Sequence, residues 1–266
     1  MSNTEEIPFT VNYIDETTNK EVTLSSIFSK NISNTDTILL CHGMFGNKNS
    51  ELNMHLLKGL KPIWSVIRFD FEGNGESSGE WSYADYNREV RNISEMIFFS
   101  EKKFNIKIVA IIGHSKAGAD VLISASRPNL IKNEKCCFVS LGGRLTFGKP
   151  EKRFTKEELK KCEKEGEFLW EFKGKKWKIT QKAIEERKNM RPINEVKNIK
   201  DERKKLILQV HGKKDTSTPV EEAFVIEKEI PGAEVIWIEN GNHFFTGVEN
   251  DMVKAVVDWL KKKLNK

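Results

Sequence analysis

Residues 113–118, "GHSKAG", close an apolar run that begins at Ile108 and lead into a stretch of small residues. A buried strand that ends on His114 and Ser115, with Lys116 directly behind, puts an imidazole, a hydroxyl and an ammonium where the chain leaves the core. The pattern recurs: "TILLC" runs into "HGMFG", "VIRFD" into "FEGNGESSG", "LILQV" into "HGKKD", and "VIWIE" into "NGNHFF". Four of the five histidines, His42, His114, His211 and His243, sit just past these runs, and only His55 does not. A serine hydroxyl with an aligned imidazole base performs nucleophilic attack on an ester carbonyl, provided its neighbours leave room for the substrate.

Elements able to gather such residues follow from the spacing. "IPFTVNYI" and "EVTLSSIF" alternate apolar and polar residues around "DETTNK", which predicts an opening hairpin. Short apolar runs then alternate with amphipathic stretches. "SELNMHLLKGLK" reads as a helix capped by Ser50. Tyr86, Val90, Ile93, Ile97 and Phe104 share one helical face. The helix after Ser115 must stop near Arg127-Pro128. In "STPVEEAFVIEKEI", Thr218 fits a cap, Pro219 the first helical position and Glu221 a capping box. "DMVKAVVDWLKKKL" closes with an apolar face of Val253, Val256, Leu260 and Leu264. Alternating strands and helices predict a mostly parallel sheet covered on both faces, with the hairpin at its leading edge. Ligands bind beyond the carboxyl ends of such strands, where the histidines lie. From about Arg144 to Lys200 the rhythm breaks. This segment reads as an excursion over one end of the sheet, with "GEFLWEFKGKKWKIT" a hairpin turning at Lys173-Gly174 and "TQKAIEERKNM" a short helix.

Here a resemblance becomes specific. "GHSKAG" resembles the nucleophile elbow of the α/β-hydrolase superfamily, and the order Ser115, Asp215, His243 matches its triad order. "HGMFG", "FDFEGNGESSG", "HGKKDTSTPV" and "GNHFF" also look like that superfamily, in the branch of serine-aminopeptidase-like and cinnamoyl (feruloyl) esterase-like hydrolases. The likeness covers nearly the whole chain. It implies an α/β fold with a mostly parallel eight-stranded sheet, helices on both faces and a lid insertion after the sixth strand. Residues 1–266 would form one domain with the lid at about 144–200. Ser115 would be the nucleophile, His243 the base and Asp215 the group that orients it. The backbone N–H groups of Met44 and Lys116 would form the oxyanion hole, with the Lys116 side chain free to face solvent. Each such donor is worth about 3 kcal/mol in the transition state. His42, His114 and Asp70 are expected to be structural. The elbow usually has glycine where Ala117 stands here, with Gly118 next.

Composition narrows the rest. The 44 basic and 39 acidic residues leave a net charge of +5. From Glu151 to Lys188, thirteen Lys/Arg interleave with nine Glu, which reads as a solvated face and not a nucleic-acid stripe. Cys41, Cys136, Cys137 and Cys162 lack disulfide or zinc spacing and read as reduced core thiols. "GNGESSG" lacks the spacing and lysine of a nucleotide loop, and dehalogenase chemistry would need an aspartate where Ser115 stands. No stretch reaches the roughly eighteen apolar residues of a membrane span, and the start does not look like a signal peptide. The expectation is a cytoplasmic serine hydrolase without cofactor or metal, acting on a small-molecule ester of a moderately hydrophobic acid, its oligomeric state open. Phe45, Trp170, Phe172 and Phe244 are the candidate pocket residues, with Met44 and Phe245 flanking. Two alternatives stand: a serine peptidase or acylglycerol lipase on the same triad, and a non-catalytic ligand-binding protein of this fold.

Overall fold

The computed structural model describes residues 5–16, 18–147, 153–172 and 174–266. Residues 148–152 of the expected insertion and Lys173 of its expected turn lie outside that set. The opening alternation forms an antiparallel hairpin of β1 (Glu5–Asp15) and β2 (Lys20–Lys30). Phe9, Val11, Val22 and Leu24 are buried, while Thr10, Asn12 and Thr23 between them are not, the period-two signature of a sheet covered on one face.

Behind the hairpin come β3 (Asp36–Cys41), α1 (Glu51–Leu60), β4 (Ser65–Phe69), α2 (Tyr86–Phe104), β5 (Lys107–His114), α3 (Lys116–Ser126) and β6 (Cys137–Leu141). The excursion then carries α4 (Lys156–Glu165), a hairpin of β7 (Glu167–Phe172) and β8 (Lys175–Thr180), α5 (Gln181–Asn189), and the short α6 (Pro192–Glu195) and α7 (Asp201–Lys204). The core resumes with β9 (Ile207–Gly212), α8 (Glu221–Glu229), β10 (Glu234–Ile238) and α9 (Glu249–Leu264). Eight strands form one sheet in the order β1-β2-β4-β3-β5-β6-β9-β10. Only the β1–β2 and β2–β4 pairs are antiparallel.

Both faces are covered. On one, Leu56 and Leu60 of α1 and Val256 and Leu260 of α9 pack over Ile38, Val66, Val139 and Leu208. On the other, Ile93 and Met96 of α2 and Val121 and Leu122 of α3 pack over Leu39, Ile67, Ile111 and Phe138. Strands buried on two sides must be apolar throughout, which is why they read as unbroken runs. Helices α1 and α9 approach so closely at Gly59 that a Cβ there would lie 2.2 Å from Val253 Cγ1. The excursion has a small core of Phe154, Cys162, Phe168, Ile179 and Ile184, completed by Tyr83 and Ala84 from the loop before α2.

Two helix starts differ from the expectation. Ser50 precedes α1, but its Oγ accepts from Asn47 N–H in the preceding turn and makes no bond to the helix. Helix α8 begins at Glu221 behind Val220, so neither the Thr218 cap nor the Glu221 box forms. Thr218 is already engaged: its N–H donates to Asp215 Oδ1 and its carbonyl accepts from His211. A competing local turn, built on the Asp215 side chain, holds the residue that local preference assigns to the cap.

Asp70, at the end of β4, is fully buried and accepts from Lys48 N–H and Lys48 Nζ at 2.6 Å each, and from Glu76 N–H at 2.9 Å. It ties the loop after β3 to the loop after β4. Asp70→Ala would leave the buried Lys48 ammonium with only exposed Glu76. We expect a loss of about 3 kcal/mol in urea unfolding; a midpoint indistinguishable from wild type would refute this role.

Candidate active site

In the sheet, β3 lies between β4 and β5. The helix after β3 covers one face and the helix after β5 the other, so the loops that follow these strands part and leave a crevice at their carboxyl ends. Ser115 stands at its edge. Its backbone has φ 58° and ψ −112°, a left-handed conformation that costs a non-glycine residue about 1–3 kcal/mol. The turn is held on both sides: Ser115 N–H donates to the Leu141 carbonyl at 2.8 Å, and Gly118 N–H donates to the Ser115 carbonyl at 3.0 Å. A Cβ on Gly113 would meet the Ala117 carbonyl at 2.3 Å, and one on Gly118 would meet Gly143 Cα at 2.8 Å. Gly113 and Gly118 are therefore the glycines this close packing requires, and the Ala117 methyl is accommodated in the core.

The structure brings Ser115, His243 and Asp215 together. His243 Nε2 lies 2.9 Å from Ser115 Oγ, and His243 Nδ1 lies 2.7 Å from Asp215 Oδ2. Since a carboxylate only accepts, Nδ1 carries the proton and Nε2 is left to accept from the serine hydroxyl. Asp215 Oδ1 accepts from Ser217 N–H and Thr218 N–H at 2.8 Å each. Burial raises the pKa of Asp215, but the bond to His243, that ring's charge and the two backbone donors outweigh it and hold the carboxyl below its usual value.

The other three strand-end histidines hold main-chain groups. His114 Nε2 donates to the His243 carbonyl at 2.8 Å. Burial, with the neighbouring His243 charge, pushes its pKa down to about 4, so it is neutral. His211 Nε2 donates to the Thr218 carbonyl at 3.1 Å, and burial also lowers its pKa. His42 Nδ1 donates to the Gly43 carbonyl at 2.8 Å, while Nε2 accepts from Phe71 N–H at 3.1 Å.

Met44 and Lys116 both line the crevice with Ser115. Lys116 opens α3, where the first N–H groups have no intrahelical acceptor. The Lys116 side chain does not face solvent as expected. It is buried, with Nζ 2.8 Å from Glu89 Oε1 and 5.0 Å from the centre of the Tyr86 ring. Burial opposes the ammonium, yet Glu89 outweighs it and its pKa ends above the ordinary value. One turn on, Asp120 is fully buried, with the Glu89 carboxylate as the acceptor its own carboxyl meets when protonated. Burial, then the charge of Glu89, raises its pKa well above the usual range, so it is held neutral.

The crevice widens into a cavity of about 750 Å³. Met44, Phe45, Phe172 and Phe244 line it, and Trp170 does not. Trp170 instead stacks on Phe172 at 4.8 Å and packs edge-on against Phe154 at 5.3 Å, joining the excursion's own core. Phe245 is also off the cavity, buried in the core under α9. Phe45, at φ 65°, is the hub that ties the excursion to the sheet, with Trp177 at 4.3 Å and Trp81 at 5.0 Å. Sequence reasoning missed Arg144, Arg153 and Arg187, which also line the cavity. Arg187 follows buried Ala183 and Ile184 at helical spacing, a signal that it lies on the inner face of α5. Glu51, His55 and Glu249 place ligand atoms within 4.8 Å of one another beside the same cavity. They are the described residues best arranged for a cation, and the Ser115–His243–Asp215 chain does not include them.

A family profile described as alpha/beta hydrolase fold matches residues 36–136, from β3 to just before β6. The chain has the α/β-hydrolase fold. No curated protein sequence matches it. Among solved structures, this α/β-hydrolase fold is similar to Est1E from Butyrivibrio proteoclasticus, solved with ferulic acid bound, at 17% identity and TM-score 0.76, covering 97% of this chain and 100% of that one. It is also similar to an esterase from Pyrococcus furiosus, at 19% identity and TM-score 0.71 over 98% and 91% of the two chains. Mouse alpha/beta hydrolase domain-containing protein 10 aligns at 17% identity and TM-score 0.67 over 96% and 99%.

The neutral Asp120 beneath the elbow gives a pH-dependent expectation. A carboxyl whose folded pKa lies above its unfolded value of about 3.9 binds a proton on folding, so its contribution weakens as pH rises from there. Asp120→Asn keeps the shape without the titration. Its melting temperature should exceed that of wild type by a margin that grows from pH 5 to pH 8, about 2–4 °C for each kcal/mol relieved. A margin constant across that range would show that Asp120 is not held protonated.

Proposed function

We propose that this chain is a serine hydrolase of carboxylic esters working through an acyl-enzyme. The observation that carries the reading is the continuous hydrogen-bonded chain from Ser115 Oγ through His243 to Asp215, at 2.9 and 2.7 Å, opening into a cavity. In the first step His243 Nε2 takes the hydroxyl proton while Oγ bonds to the ester carbonyl carbon. The carbonyl oxygen becomes an oxyanion, received by the N–H groups of Met44 and Lys116. The C–O bond to the alcohol breaks as His243 returns the proton to it. Water then repeats the sequence on the acyl-Ser115 ester, releasing the acid and restoring the hydroxyl. Asp215 keeps Nδ1 protonated and stabilises the imidazolium that forms twice in the cycle. No cofactor or metal is needed.

The excursion after β6 would act as a lid above Ser115, anchored through Phe45. Met44, Phe45, Phe172 and Phe244 give the cavity an apolar wall suited to a moderately hydrophobic ester. Esterase neighbours of the same fold, one holding ferulic acid, fit this choice over amides.

Two measurements test the proposal. Wild type should turn over p-nitrophenyl acetate or butyrate, and a fluorophosphonate should label Ser115. Ser115→Ala should lose both, with kcat falling by on the order of 10⁴-fold or more; equal slow hydrolysis by the two proteins would sink the assignment. Asp215→Asn should keep the fold and lose about 10⁴-fold in kcat. An Asn variant within a few-fold of wild type would remove Asp215 from the mechanism.

A further inference from the structure

Arginines elsewhere in the molecule are accounted for. Arg68 pairs with Glu6, Arg88 with Glu72, Arg91 with Asp15 and Arg127 with Glu195. Two more have no carboxylate but are bonded to the main chain: buried Arg203 donates from its two Nη atoms to the carbonyls of Ala125 and Ile131, and exposed Arg191 donates from Nη1 to the carbonyls of Lys188 and Met190. The three that line the cavity beside Ser115 differ. Among the described residues, Arg144, Arg153 and Arg187 form no ion pair.

Arg187 is the sharpest case. It is buried, with 6% of its surface exposed. Nη1 donates to Tyr86 Oη at 2.6 Å, and Nε is enclosed with no acceptor among the described residues. Aromatic rings surround the guanidinium, Phe147 at 4.5 Å and Tyr83 at 4.9 Å. Arg144 donates from Nη2 to the Ser217 carbonyl at 2.7 Å, within the turn whose N–H groups hold Asp215. The nearby Glu222 already accepts from Leu145 N–H, Thr146 N–H and Thr146 Oγ1. Arg153 is exposed; it donates to Met44 Sδ at 3.4 Å and stands 5.8 Å from the ring centres of Tyr83 and Trp170. Of the acids nearby, Glu89 pairs with Lys116, while Glu51 and Glu249 border the same cavity beside His55 on α1 and α9 and pair with none of the three arginines.

Stacking on rings explains how a guanidinium is tolerated beneath the excursion. It does not explain an enclosed Nε without an acceptor, nor two further like charges on the same cavity. Burying an uncompensated cation is costly, and several together repel. The arrangement becomes favourable when an anion enters, because a guanidinium offers paired donors matched to carboxylate or phosphate oxygens.

We propose that the ester cleaved at Ser115 carries a second, anionic oxyacid group, a carboxylate or a phosphate, held in the cavity by Arg187 with Arg144 and Arg153. This rests on the serine-hydrolase reading and narrows its substrate class from moderately hydrophobic esters to esters with an apolar body and a charged end. The apolar wall takes the body and the arginines take the end.

The test compares p-nitrophenyl butyrate with the mono-p-nitrophenyl hemi-esters of succinic, glutaric and adipic acid. For wild type, kcat/KM on the best hemi-ester should exceed that on butyrate by about tenfold or more, chiefly through KM. In Arg187→Gln that ratio should fall towards one, with Arg187→Lys in between. Taking the ratio within each protein cancels a general loss of activity. Should Arg187→Gln not fold, wild type still decides: glutarate or inorganic phosphate, whichever source the site prefers, should compete with butyrate, and neutral glutaramide should not. A wild-type ratio near one, or no competition from either anion, overturns the proposal. The two readings fail separately. Butyrate turnover that depends on Ser115 but shows no anion preference removes only this inference. Calorimetric binding of glutarate to a protein that hydrolyses no ester removes the hydrolase reading and leaves the arginines as an anion site without the ester.

Discussion

Everything at this site depends on one unfavourable backbone conformation. Ser115 sits at φ 58°, where a side chain crowds its own carbonyl, and no local preference would put it there. The turn persists because the surroundings over-determine it: a strand buried on both faces enters, a helix leaves, and Leu141 and Gly118 grip the residue from either side. The glycines at 113 and 118 allow strand and helix the approach that this requires. The strain lifts the hydroxyl clear of the sheet, and the folding energy of the two large cores sustains it.

A second constraint is the division of labour among the histidines. All four at strand ends use a ring nitrogen as a donor, but only His243 donates to a side-chain carboxylate. His114, His211 and His42 donate to the carbonyls of residues 243, 218 and 43, so each fixes a loop that carries part of the proposed machinery. Burial keeps these three from gaining a proton easily. Neutral rings can fill such posts without adding charge next to Asp215. The histidine pattern in the sequence thus marked the whole rim, of which one ring, His243, contacts the Ser115 hydroxyl.

How far the sequence could be read follows from this layout. Strands covered on both faces must be apolar from end to end, so polar groups at their carboxyl ends stood out, and the sheet and the convergence of Ser115, His243 and Asp215 were legible. The excursion was legible as elements but not as contacts. Alternation correctly put Trp170 and Phe172 on one face of β7, yet only Phe172 reaches the cavity, because Phe154 takes the other ring. Charge counting put Arg187 on a solvated face, and the elbow resemblance left the Lys116 side chain free to face solvent, since neither says where a long side chain ends. The box expected at Thr218 and Glu221 failed for a different reason: the Thr218 N–H goes three residues back to the Asp215 carboxylate, a rival local turn, and the helix starts later, behind Val220.

The meeting of α1 and α9 at Gly59 reaches further than packing. The first turn of each helix, through Glu51 and Glu249, borders the cavity, and the two rods touch backbone to side chain near the far end of α1. Rigid rods pinned at such a point behave as a pair of tongs: a bulkier residue at the pin spreads the jaws. A single methyl at position 59 would have to move Val253 aside, and with it one of two helices whose first turns border the cavity.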